Sequence, residues 1–248
     1  MSGMSDAPRM YRLLRRIIPP VANPYLHVQI EGMDNVPDRE PAVLACNHLS
    51  FIDSILLPIN LPRPVYFLGK ADYWDSWKTR WFFKGTGVVP VYRGGGAQGE
   101  ASLRTGVDIL KRGELLGIYP EGTRSPDGRL YRGKTGPVRM ALEADVPIVP
   151  CGVVGTDKAM PTGAHLPKRE PVTLRYGQPL DLSRYRDRRT DPFALRSATD
   201  ELMYEIMMLS GQEYVDEYAS KVKSGDVDVS LDLESPGRSR TGTGRRAS

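Results

Sequence analysis

Cysteine is scarce in this 248-residue sequence, which contains only Cys46 and Cys151. Neither belongs to a Cys-x-x-Cys pair, so the sequence excludes a disulfide framework. Both lie in apolar runs that are typical of strands. We therefore expect two buried, small hydrophobic side chains in a protein of a reducing compartment.

Long apolar runs are absent as well. No window approaches the roughly 20 apolar residues of a membrane-spanning helix, and the N-terminus lacks the apolar stretch of roughly 7–15 residues that marks a signal peptide. These absences predict a soluble or peripheral protein. Charge of one sign does not dominate either, because the net charge is only +4. That modest basic excess suits phosphate substrates, acidic lipid surfaces or nucleic acid without choosing among them.

A short basic helix is predicted near the N-terminus, after about eight residues whose composition indicates disorder. Its apolar residues recur at helical spacing and form one stripe: Leu13, Leu14, Ile17 and Ile18. Four arginines belong to the same segment: Arg9, Arg12, Arg15 and Arg16. Pro19 and Pro20 are expected to end the helix. Two interpretations stay open, since such a helix either lies in an anionic membrane interface or docks on the domain with its basic face in solvent.

Short apolar runs alternate with helical patterns from Leu26 to about Gly177. The strand candidates are Leu26–Ile30, Ala42–Cys46, Val65–Leu68, Val88–Tyr92, Leu115–Tyr119, Pro147–Val154 and Val172–Tyr176. The helix candidates are Phe51–Pro58, Asp72–Lys84, Ala97–Arg112 and Thr135–Ala144, with one or two more over Asp191–Val222. This alternation predicts an α/β fold, in which helices cover a central, mostly parallel or mixed sheet.

Three parts of the chain are expected on this basis. Residues 1–20 hold the disordered start and the basic amphipathic helix, residues 21–223 form a single domain, and residues 224–248 form a disordered tail. The tail lacks aromatic residues and places an acidic block before a basic one. Such a composition offers too little apolar surface to offset the entropy of ordering the chain.

The first candidate site follows the apolar strand Ala42–Cys46. His48 comes two residues after the strand, and Asp53 comes five positions after His48. Polar groups just past the carboxyl end of a strand occupy the ligand-facing edge of an open α/β sheet. Asp53 could accept a hydrogen bond from one imidazole nitrogen of His48 and fix its tautomer. The other nitrogen would then be free to take a proton from a substrate hydroxyl.

A structural role for the same residues is the alternative. Ser50 is a natural N-cap for a helix that begins at Phe51, and Ser50-x-x-Asp53 matches a capping box. In that interpretation Asp53 only satisfies backbone N–H groups, and His48 is an ordinary loop histidine. A nucleophile at Cys46 is disfavoured, because apolar surroundings raise the pKa of a thiol. The residues around His48 alone do not decide between the dyad and the capping box.

Two further strand ends carry candidate anion-binding residues. Arg124 follows Glu121 and Gly122 just past the strand that ends at Tyr119, and an arginine can hold phosphate through two parallel hydrogen bonds. A surface turn whose charges pair with each other is the alternative. Arg93 ends another apolar strand before three glycines, a turn that lacks the P-loop and dinucleotide-binding spacings.

The prolines of the apolar segment Val146–Pro150 predict a strand at the edge or the end of the sheet, because proline cannot donate to a ladder. Together with the three segments above, it completes an ordered set of motifs. These are Asn-His-x-x-x-x-Asp at 47–53, Gly-x-x-Pro-Val-x-Arg at 87–93, Pro-Glu-Gly-Thr-Arg-Ser at 120–125 and Val-Pro-Ile-Val-Pro at 146–150.

The order and spacing of the four motifs resemble the glycerolipid acyltransferase family, and the 1-acylglycerol-3-phosphate acyltransferases in particular. The resemblance runs from about Val43 to Val154, and four motifs in order make it specific. Phe67–Lys70 also resembles the lysine-containing strand end that the family has between its first two motifs. The main departure is Cys151 after the fourth motif, which affects nothing central.

The resemblance implies a role for each matching residue. His48 would deprotonate the acceptor hydroxyl, and Asp53 would orient the histidine. The acceptor phosphate would be bound by Arg93, Arg124 and Lys70. The acceptor-side motif would comprise Glu121, Gly122 and Thr123. Val146–Pro150 would serve acyl-donor binding or support the core, and residues 21–223 would form the acyltransferase domain.

The implied reaction transfers a fatty acyl group from acyl-CoA or acyl-carrier protein to lysophosphatidic acid, giving phosphatidic acid in phospholipid biosynthesis. A thioester has a good leaving group, so direct attack needs only a base and a place for the oxyanion. No metal or redox cofactor is therefore expected. The enzyme would act as a peripheral protein on the cytoplasmic face of an anionic membrane.

Other functions fit the same residues less closely. One alternative in the same class is another acceptor: glycerol 3-phosphate, another lysophospholipid or a glycolipid. Thioester hydrolysis at the same dyad and non-catalytic binding of anionic lipids belong to different classes. Nucleic acid is not expected as a partner, because the basic residues do not interleave with exposed aromatic residues.

Overall fold

A mixed β-sheet organises the part of the chain that the computed structural model describes, which comprises residues 9–70, 88–91 and 96–229. In chain order the strands are β1 (Gln29–Glu31), β2 (Ala42–Cys46), β3 (Val65–Lys70), β4 (Val88–Val91), β5 (Leu115–Ile118), β6 (Leu130–Tyr131), β7 (Ile148–Val154), β8 (Thr173–Tyr176) and β9 (Tyr214–Val215). Seven of them lie in the order β1-β8-β7-β2-β5-β3-β4, and β6 pairs with β9 in a separate parallel ladder. Within the large sheet every neighbouring pair is parallel except β7 and β8.

Helices cover both faces of the large sheet, so the predicted α/β fold is confirmed. The helices are α1 (Arg9–Tyr25), α2 (Asp53–Asn60), α3 (Ala97–Lys111), α4 (Gly136–Ala144), α5 (Thr156–Ala159), α6 (Pro192–Ser210) and α7 (Ala219–Ser224). One apolar cluster packs α3, α4 and α6 against one face, and a second packs α2 and part of α1 against the other. Successive side chains of β2 point to opposite faces of the sheet. Val43 and Ala45 therefore belong to the first cluster, and Leu44 and Cys46 belong to the second.

Both cysteines are buried, as predicted. Cys46 lies in β2 and Cys151 in β7, and the two residues are register partners. Burial raises the pKa of each thiol well above its ordinary value. A thiol that stays protonated is a poor nucleophile, which agrees with the expectation that neither cysteine reacts.

Strand β7 lies between β8 and β2 inside the sheet, so the edge or end position predicted from its prolines is wrong. Pro150 is the register partner of Ala45 on β2. Its carbonyl accepts a hydrogen bond from the N–H of Gly177, just past the end of β8, at 2.8 Å. Because the nitrogen and the carbonyl of a strand residue face the same side, the nitrogen of Pro150 also faces the place where β8 has ended. Because Pro150 has no N–H on the side of β2 to lose, its presence removes no hydrogen bond between β7 and β2.

Helix α1 continues through Pro19 and Pro20 as far as Tyr25, so the prediction that these prolines end the helix is wrong. A proline inside a helix removes a hydrogen bond and contacts the preceding turn. Packing offsets that cost here, because Ile18 and Ala22 lie against the apolar cluster beneath the helix. The local preference of proline predicted a helix end at Pro19, and tertiary packing stabilises the helix beyond that position.

Several predictions about the ends of the chain and one helix fall outside the described residues. They concern the disordered start at residues 1–8, the helix Asp72–Lys84 and residues 230–248 of the predicted tail. At the start of that predicted tail, Ser224 still belongs to helix α7 and Val229 is buried. In the stretches that are described, no helix combines the length and the apolar character needed to cross a bilayer.

The topology brings two loops to one edge of the sheet. Strands β2 and β5 are parallel neighbours, with Ala45 paired to Ile118 at their carboxyl ends. The segment after β2 contains His48, and the segment after β5 contains Glu121 and Arg124. A hydrogen bond of 2.7 Å from the N–H of Ser125 to the carbonyl of His48 joins the two loops. The candidate site therefore lies at this edge.

Candidate active site

His48 and Asp53 meet just past the end of β2. The Nδ1 atom of His48 lies 2.9 Å from Oδ2 of Asp53. With a carboxylate as its partner, Nδ1 carries the hydrogen and donates it, which leaves Nε2 as the unprotonated nitrogen of the neutral ring. Asp53 is fully buried, and among the described residues its Oδ1 atom has no hydrogen-bond partner. The structure thus brings together the two residues that the sequence singled out.

The same carboxylate also holds the loop. The Oδ2 atom of Asp53 accepts hydrogen bonds from the backbone N–H groups of Leu49 and Ser50, both at 2.8 Å. Helix α2 begins at Asp53 without a side-chain cap, so the predicted helix start at Phe51 with Ser50 as N-cap is wrong. Ser50 Oγ instead donates to the carbonyl of Met160 at 2.6 Å. Asp53 therefore satisfies backbone N–H groups and contacts the imidazole at once.

Tyr119 fixes the plane of the His48 imidazole. The two rings are stacked, with centroids 3.8 Å apart and planes inclined by 10°. The Tyr119 hydroxyl lies 3.0 Å from Ser54 Oγ on α2. Burial raises the pKa of this hydroxyl well above its ordinary value, so it stays protonated. No sequence motif predicted a role for Tyr119, and its place directly after β5 was the available signal.

Glu121 binds the backbone of the loop that carries His48. Its carboxylate accepts hydrogen bonds from the N–H of His48 at 3.2 Å and from the N–H of Tyr131 at 3.0 Å. The side chain is only 1% exposed. Burial raises its pKa to about 8, against the lowering effect of these two hydrogen bonds. The structure places this residue of the predicted acceptor-side motif against the protein backbone.

The raised pKa of Glu121 predicts a pH-dependent stability. The folded chain binds more protons than the unfolded chain between the ordinary pKa of 4.5 and about 8. The free energy of unfolding should therefore fall as the pH rises through this window. Across this window we expect the free energy of unfolding of the wild type to fall by about 1 kcal/mol or more relative to that of Glu121→Gln, which cannot ionise. Urea unfolding at several pH values measures this. Glu143→Gln, which changes an exposed carboxylate, is the control, and parallel curves for wild type and Glu121→Gln would contradict the prediction.

The remaining residues of the motif lie on the turn after Glu121. Gly122 has a φ of 76°, and a Cβ at this position would lie 3.0 Å from the side chain of Lys134. Thr123 Oγ1 accepts a hydrogen bond of 3.0 Å from Lys223 on α7, and the Arg124 carbonyl accepts a second one. The Arg124 guanidinium forms no hydrogen bond or ion pair with any residue that the structure describes. It can therefore bind an anion without giving up a protein contact.

Two of the predicted phosphate contacts, Arg93 and Lys70, have side chains outside the described part of the structure. Arg93 lies in residues 92–95, outside the described residues. Lys70 ends β3, and its backbone is the register partner of Val91, while its side chain is also outside the description. Because β3 runs parallel to β5, the backbone of Lys70 reaches the same edge of the sheet as the turn at Gly122.

A cavity of about 430 Å³ opens beside His48. Its apolar lining among the described residues includes Leu68, Val91, Leu103, Ile118, Pro137 and Met140. Lys134 lines the cavity as well, is exposed, and has no ion-pair partner in the described part of the chain. No sequence motif contains Lys134, which lies nine residues after Ser125, the last residue of the third motif.

The segment Val146–Pro150 lies in the core rather than along this cavity. Ile148 and Val149 are fully buried in β7, and no residue of the segment is among the described lining of the cavity. Of the two roles implied for this segment, the structure supports the core. In the described ranges, no group of three or more histidine, cysteine, aspartate or glutamate side chains is placed to hold a metal ion.

Comparison with known proteins adds to this geometry. A model of the acyltransferase family matches residues 27–154, which is 128 of the 248 residues. The chain belongs to the acyltransferase family. The matched region contains the His48 and Arg124 segments described above, together with the other two motifs. The family predicted from the order of the motifs is confirmed.

Relatives within the family share about one third of their aligned residues with this chain. It is 36% identical over 142 residues to the chloroplastic 1-acyl-sn-glycerol-3-phosphate acyltransferase LPAT1 of Arabidopsis thaliana, covering 57% of this chain and 40% of that protein. It is 32% identical over 155 residues to the 1-acyl-sn-glycerol-3-phosphate acyltransferase of Bacillus subtilis, covering 62% of this chain and 73% of that protein. The chain thus spans about two fifths of the length of the plant relative.

A solved structure supports the fold. The chain superposes on the 1-acyl-sn-glycerophosphate acyltransferase PlsC from Thermotoga maritima with a TM-score of 0.62 and 24% sequence identity. The match covers 80% of this chain and 79% of the other. It therefore extends beyond the residues that the family model matches.

Proposed function

We propose that this chain transfers a fatty acyl group from a thioester to the hydroxyl of lysophosphatidic acid, forming phosphatidic acid. The contact of 2.9 Å between His48 Nδ1 and Asp53 Oδ2 carries the proposal, because it prepares a histidine base beside an apolar cavity. The names of the relatives in Arabidopsis thaliana and Bacillus subtilis support this acceptor. The donor in the proposal is acyl-CoA or acyl-carrier protein, and the reaction needs no metal or redox cofactor.

The geometry suggests a direct transfer. Nε2 of His48 takes the proton of the acceptor hydroxyl as its oxygen attacks the thioester carbonyl. The tetrahedral intermediate collapses with cleavage of the carbon–sulfur bond, and the imidazolium returns the proton to the departing thiolate. Asp53 stabilises the imidazolium through the existing hydrogen bond. Tyr119 and the Glu121 carboxyl group keep the ring and the backbone of His48 in place during both proton transfers.

Arg124 and Lys134 are suited to bind the phosphate of the acceptor. The Arg124 guanidinium forms no hydrogen bond or ion pair with the described residues, and the Lys134 ammonium lies near Gly122 at the cavity. Arg93 and Lys70 remain candidates for the same role, since the family motifs match there. Glycerol 3-phosphate and other lysophospholipids would use the same phosphate contacts, so the choice of acceptor rests on the relatives and on experiment.

An acceptor panel tests the proposal. Purified enzyme with acyl-CoA should acylate lysophosphatidic acid and should not acylate monoacylglycerol, which lacks the phosphate. Arg124→Met should raise the KM for lysophosphatidic acid by about 10-fold or more, because it removes a charge-assisted contact. Arg112→Met, which changes an exposed arginine at the end of α3, is the control. Release of CoA at the same rate without any acceptor would instead establish a hydrolase.

Membrane attachment is part of the proposal, and α1 supports it. The side chains of Leu13, Ile17 and Val21 are 51%, 55% and 69% exposed, and their spacing of four residues puts them on one face of the helix. The other side is fixed to the domain, since Tyr11 donates to the carbonyl of Pro58 at 2.9 Å and Arg15 donates to carbonyls at the end of α2. The helix therefore docks on the domain and still presents an apolar face with arginines, which suits peripheral binding to the cytoplasmic face of an anionic membrane.

Replacing Leu13, Ile17 and Val21 together by serine should weaken vesicle binding by about 10-fold or more, because the variant loses the apolar area that enters the interface. Sedimentation with vesicles of phosphatidylcholine and phosphatidylglycerol measures the partition. The control is Phe193→Ser, since Phe193 is 81% exposed at the start of α6. Equal binding by the triple variant and the wild type would remove this role of α1.

A further inference from the structure

The segment from Gln212 to Lys223 lies beyond the residues that the family model matches, yet it contacts both loops of the candidate site. We propose that this segment, here called the C-terminal clamp, holds the two loops in their working positions. Gln212 is a positioning residue for His48, and Lys223 is a positioning residue for Arg124. The inference rests on the proposed function, because it assigns consequences for turnover and for acceptor binding.

Gln212 connects the clamp to the residue before His48. Its Oε1 accepts a hydrogen bond of 2.7 Å from Asn47 Nδ2, and its Nε2 donates to the carbonyl of Gly128 at 2.6 Å. Asn47 is fully buried, and its Oδ1 accepts from the N–H of Val153 on β7 at 2.7 Å. Asn47 therefore has partners on a central strand and on the clamp. Removing the Gln212 amide would leave a buried donor of Asn47 with only one acceptor, the carbonyl of Val153.

The backbone of the clamp supports the loop after β5. Strand β9 pairs with β6, and the N–H of Leu130 donates to the carbonyl of Glu213 at 2.8 Å. The next residue of β6, Tyr131, donates its N–H to Glu121, whose carboxylate also accepts from His48. The clamp thus reaches the His48 backbone by a second route, through β6 and one buried carboxylate.

Lys223 forms the other end of the clamp. Its ammonium donates to Thr123 Oγ1 at 3.0 Å and to the carbonyl of Arg124. Burial lowers the pKa of Lys223, and the positive charge of Arg124 lowers it further, while Glu121 raises it. A cation is thus held beside another cation by two oxygen atoms of the loop. Those bonds fix the backbone that carries the Arg124 guanidinium, so they set where that guanidinium meets an anion.

Lys223→Met tests this end of the clamp. We expect the KM for lysophosphatidic acid to rise by about 5- to 10-fold, with kcat and the KM for acyl-CoA changed less than about 2-fold. Lys223→Arg should recover most of the loss, because it keeps a cationic donor. The matched control is Lys221→Met on the same helix, whose ammonium lies 3.8 Å from Glu217 and away from the loop. An equal rise for both methionine variants, or no rise for Lys223→Met, would overturn the role of Lys223.

Gln212→Leu tests the other end and should have the opposite kinetic signature. We expect kcat to fall by about 10-fold, with the KM for lysophosphatidic acid nearly unchanged, because the change acts on the base. Glu213→Ala, which changes an exposed neighbour, is the control. A change in KM alone, or wild-type kinetics, would overturn the role of Gln212.

Hydrogen–deuterium exchange separates the clamp from the proposed function. Amide exchange should accelerate at residues 47–50 in Gln212→Leu and at residues 121–125 in Lys223→Met. Exchange in the strands of the sheet should stay unchanged in both variants. This result needs no turnover, so it would support the clamp even if lysophosphatidic acid were not the acceptor. Unchanged exchange in both loops would overturn the clamp whatever the enzyme acylates.

Discussion

Replacing His48 by alanine should lower kcat for acyl transfer by about 10³-fold, because a positioned general base contributes roughly 10²–10⁴-fold. The fold should survive, since the His48 side chain is 15% exposed and lies at the edge of the sheet. Acyl-CoA turnover with lysophosphatidic acid measures the loss, and thermal unfolding checks the fold. His165→Ala, which changes an exposed histidine elsewhere, is the control and should retain wild-type turnover.

A His48→Ala variant with more than about one tenth of wild-type turnover would contradict the role of the base. The same measurement without acceptor separates the two enzymatic alternatives. If His48→Ala abolished a CoA release that occurs equally without lysophosphatidic acid, the histidine would be a base for water. If it abolished only the acceptor-dependent release, the histidine would be a base for the acceptor hydroxyl.

Asp53→Asn should lower kcat by about 10²-fold, a smaller loss than in His48→Ala. The oxygen of Asp53 that contacts His48 also accepts from the N–H groups of Leu49 and Ser50. Three donors around one atom favour the amide oxygen of asparagine at that place, so the tautomer of His48 is kept and only the negative charge is lost. The amide NH2 would take the place of Oδ1, which has no partner among the described residues.

Kinetics and denaturant unfolding together test the Asp53 prediction. Asp53→Asn should unfold within about 1–2 kcal/mol of the wild type, because the loop hydrogen bonds persist, while Asp53→Ala should lose several times that amount by stranding two N–H groups. A loss of about 10⁴-fold in Asp53→Asn would show that the tautomer had switched instead. Equal stability of the asparagine and alanine variants would mean that the loop bonds contribute little.

The large-scale organisation was accessible from the sequence because it depends on local pattern. Alternating apolar runs and helical stretches predicted the α/β fold, and the parallel pairing of β2 with β5 then brings His48 and Glu121 to one edge. The five-residue spacing of His48 and Asp53 allowed two interpretations. The structure shows that one carboxylate oxygen makes both kinds of contact.

What escaped prediction depends on contacts between distant segments. Pro150 predicted that β7 is an edge strand, but β7 lies inside the sheet. An interior proline is tolerated there because Pro150 faces the place where β8 has already ended. Pro19 predicted a helix end, and packing of Ile18 and Ala22 outweighed that preference. The bond between Asn47 and Gln212 joins residues 165 positions apart. No local pattern signals such a pair, so the C-terminal clamp could be found only in three dimensions.

The position of the clamp after all four motifs in the sequence has a consequence for biosynthesis. Strand β2 is made early, but its neighbours β5 and β7 begin about 70 and 100 residues later. A nascent chain can therefore assemble the sheet around His48 only late, and long-range pairing of this kind slows folding. Even then the loops lack the contacts of Gln212 and Lys223 until the clamp itself leaves the ribosome. Translation that stopped shortly before residue 212 would release a chain that contains all four family motifs but lacks the side-chain contacts of the clamp with the first and the third.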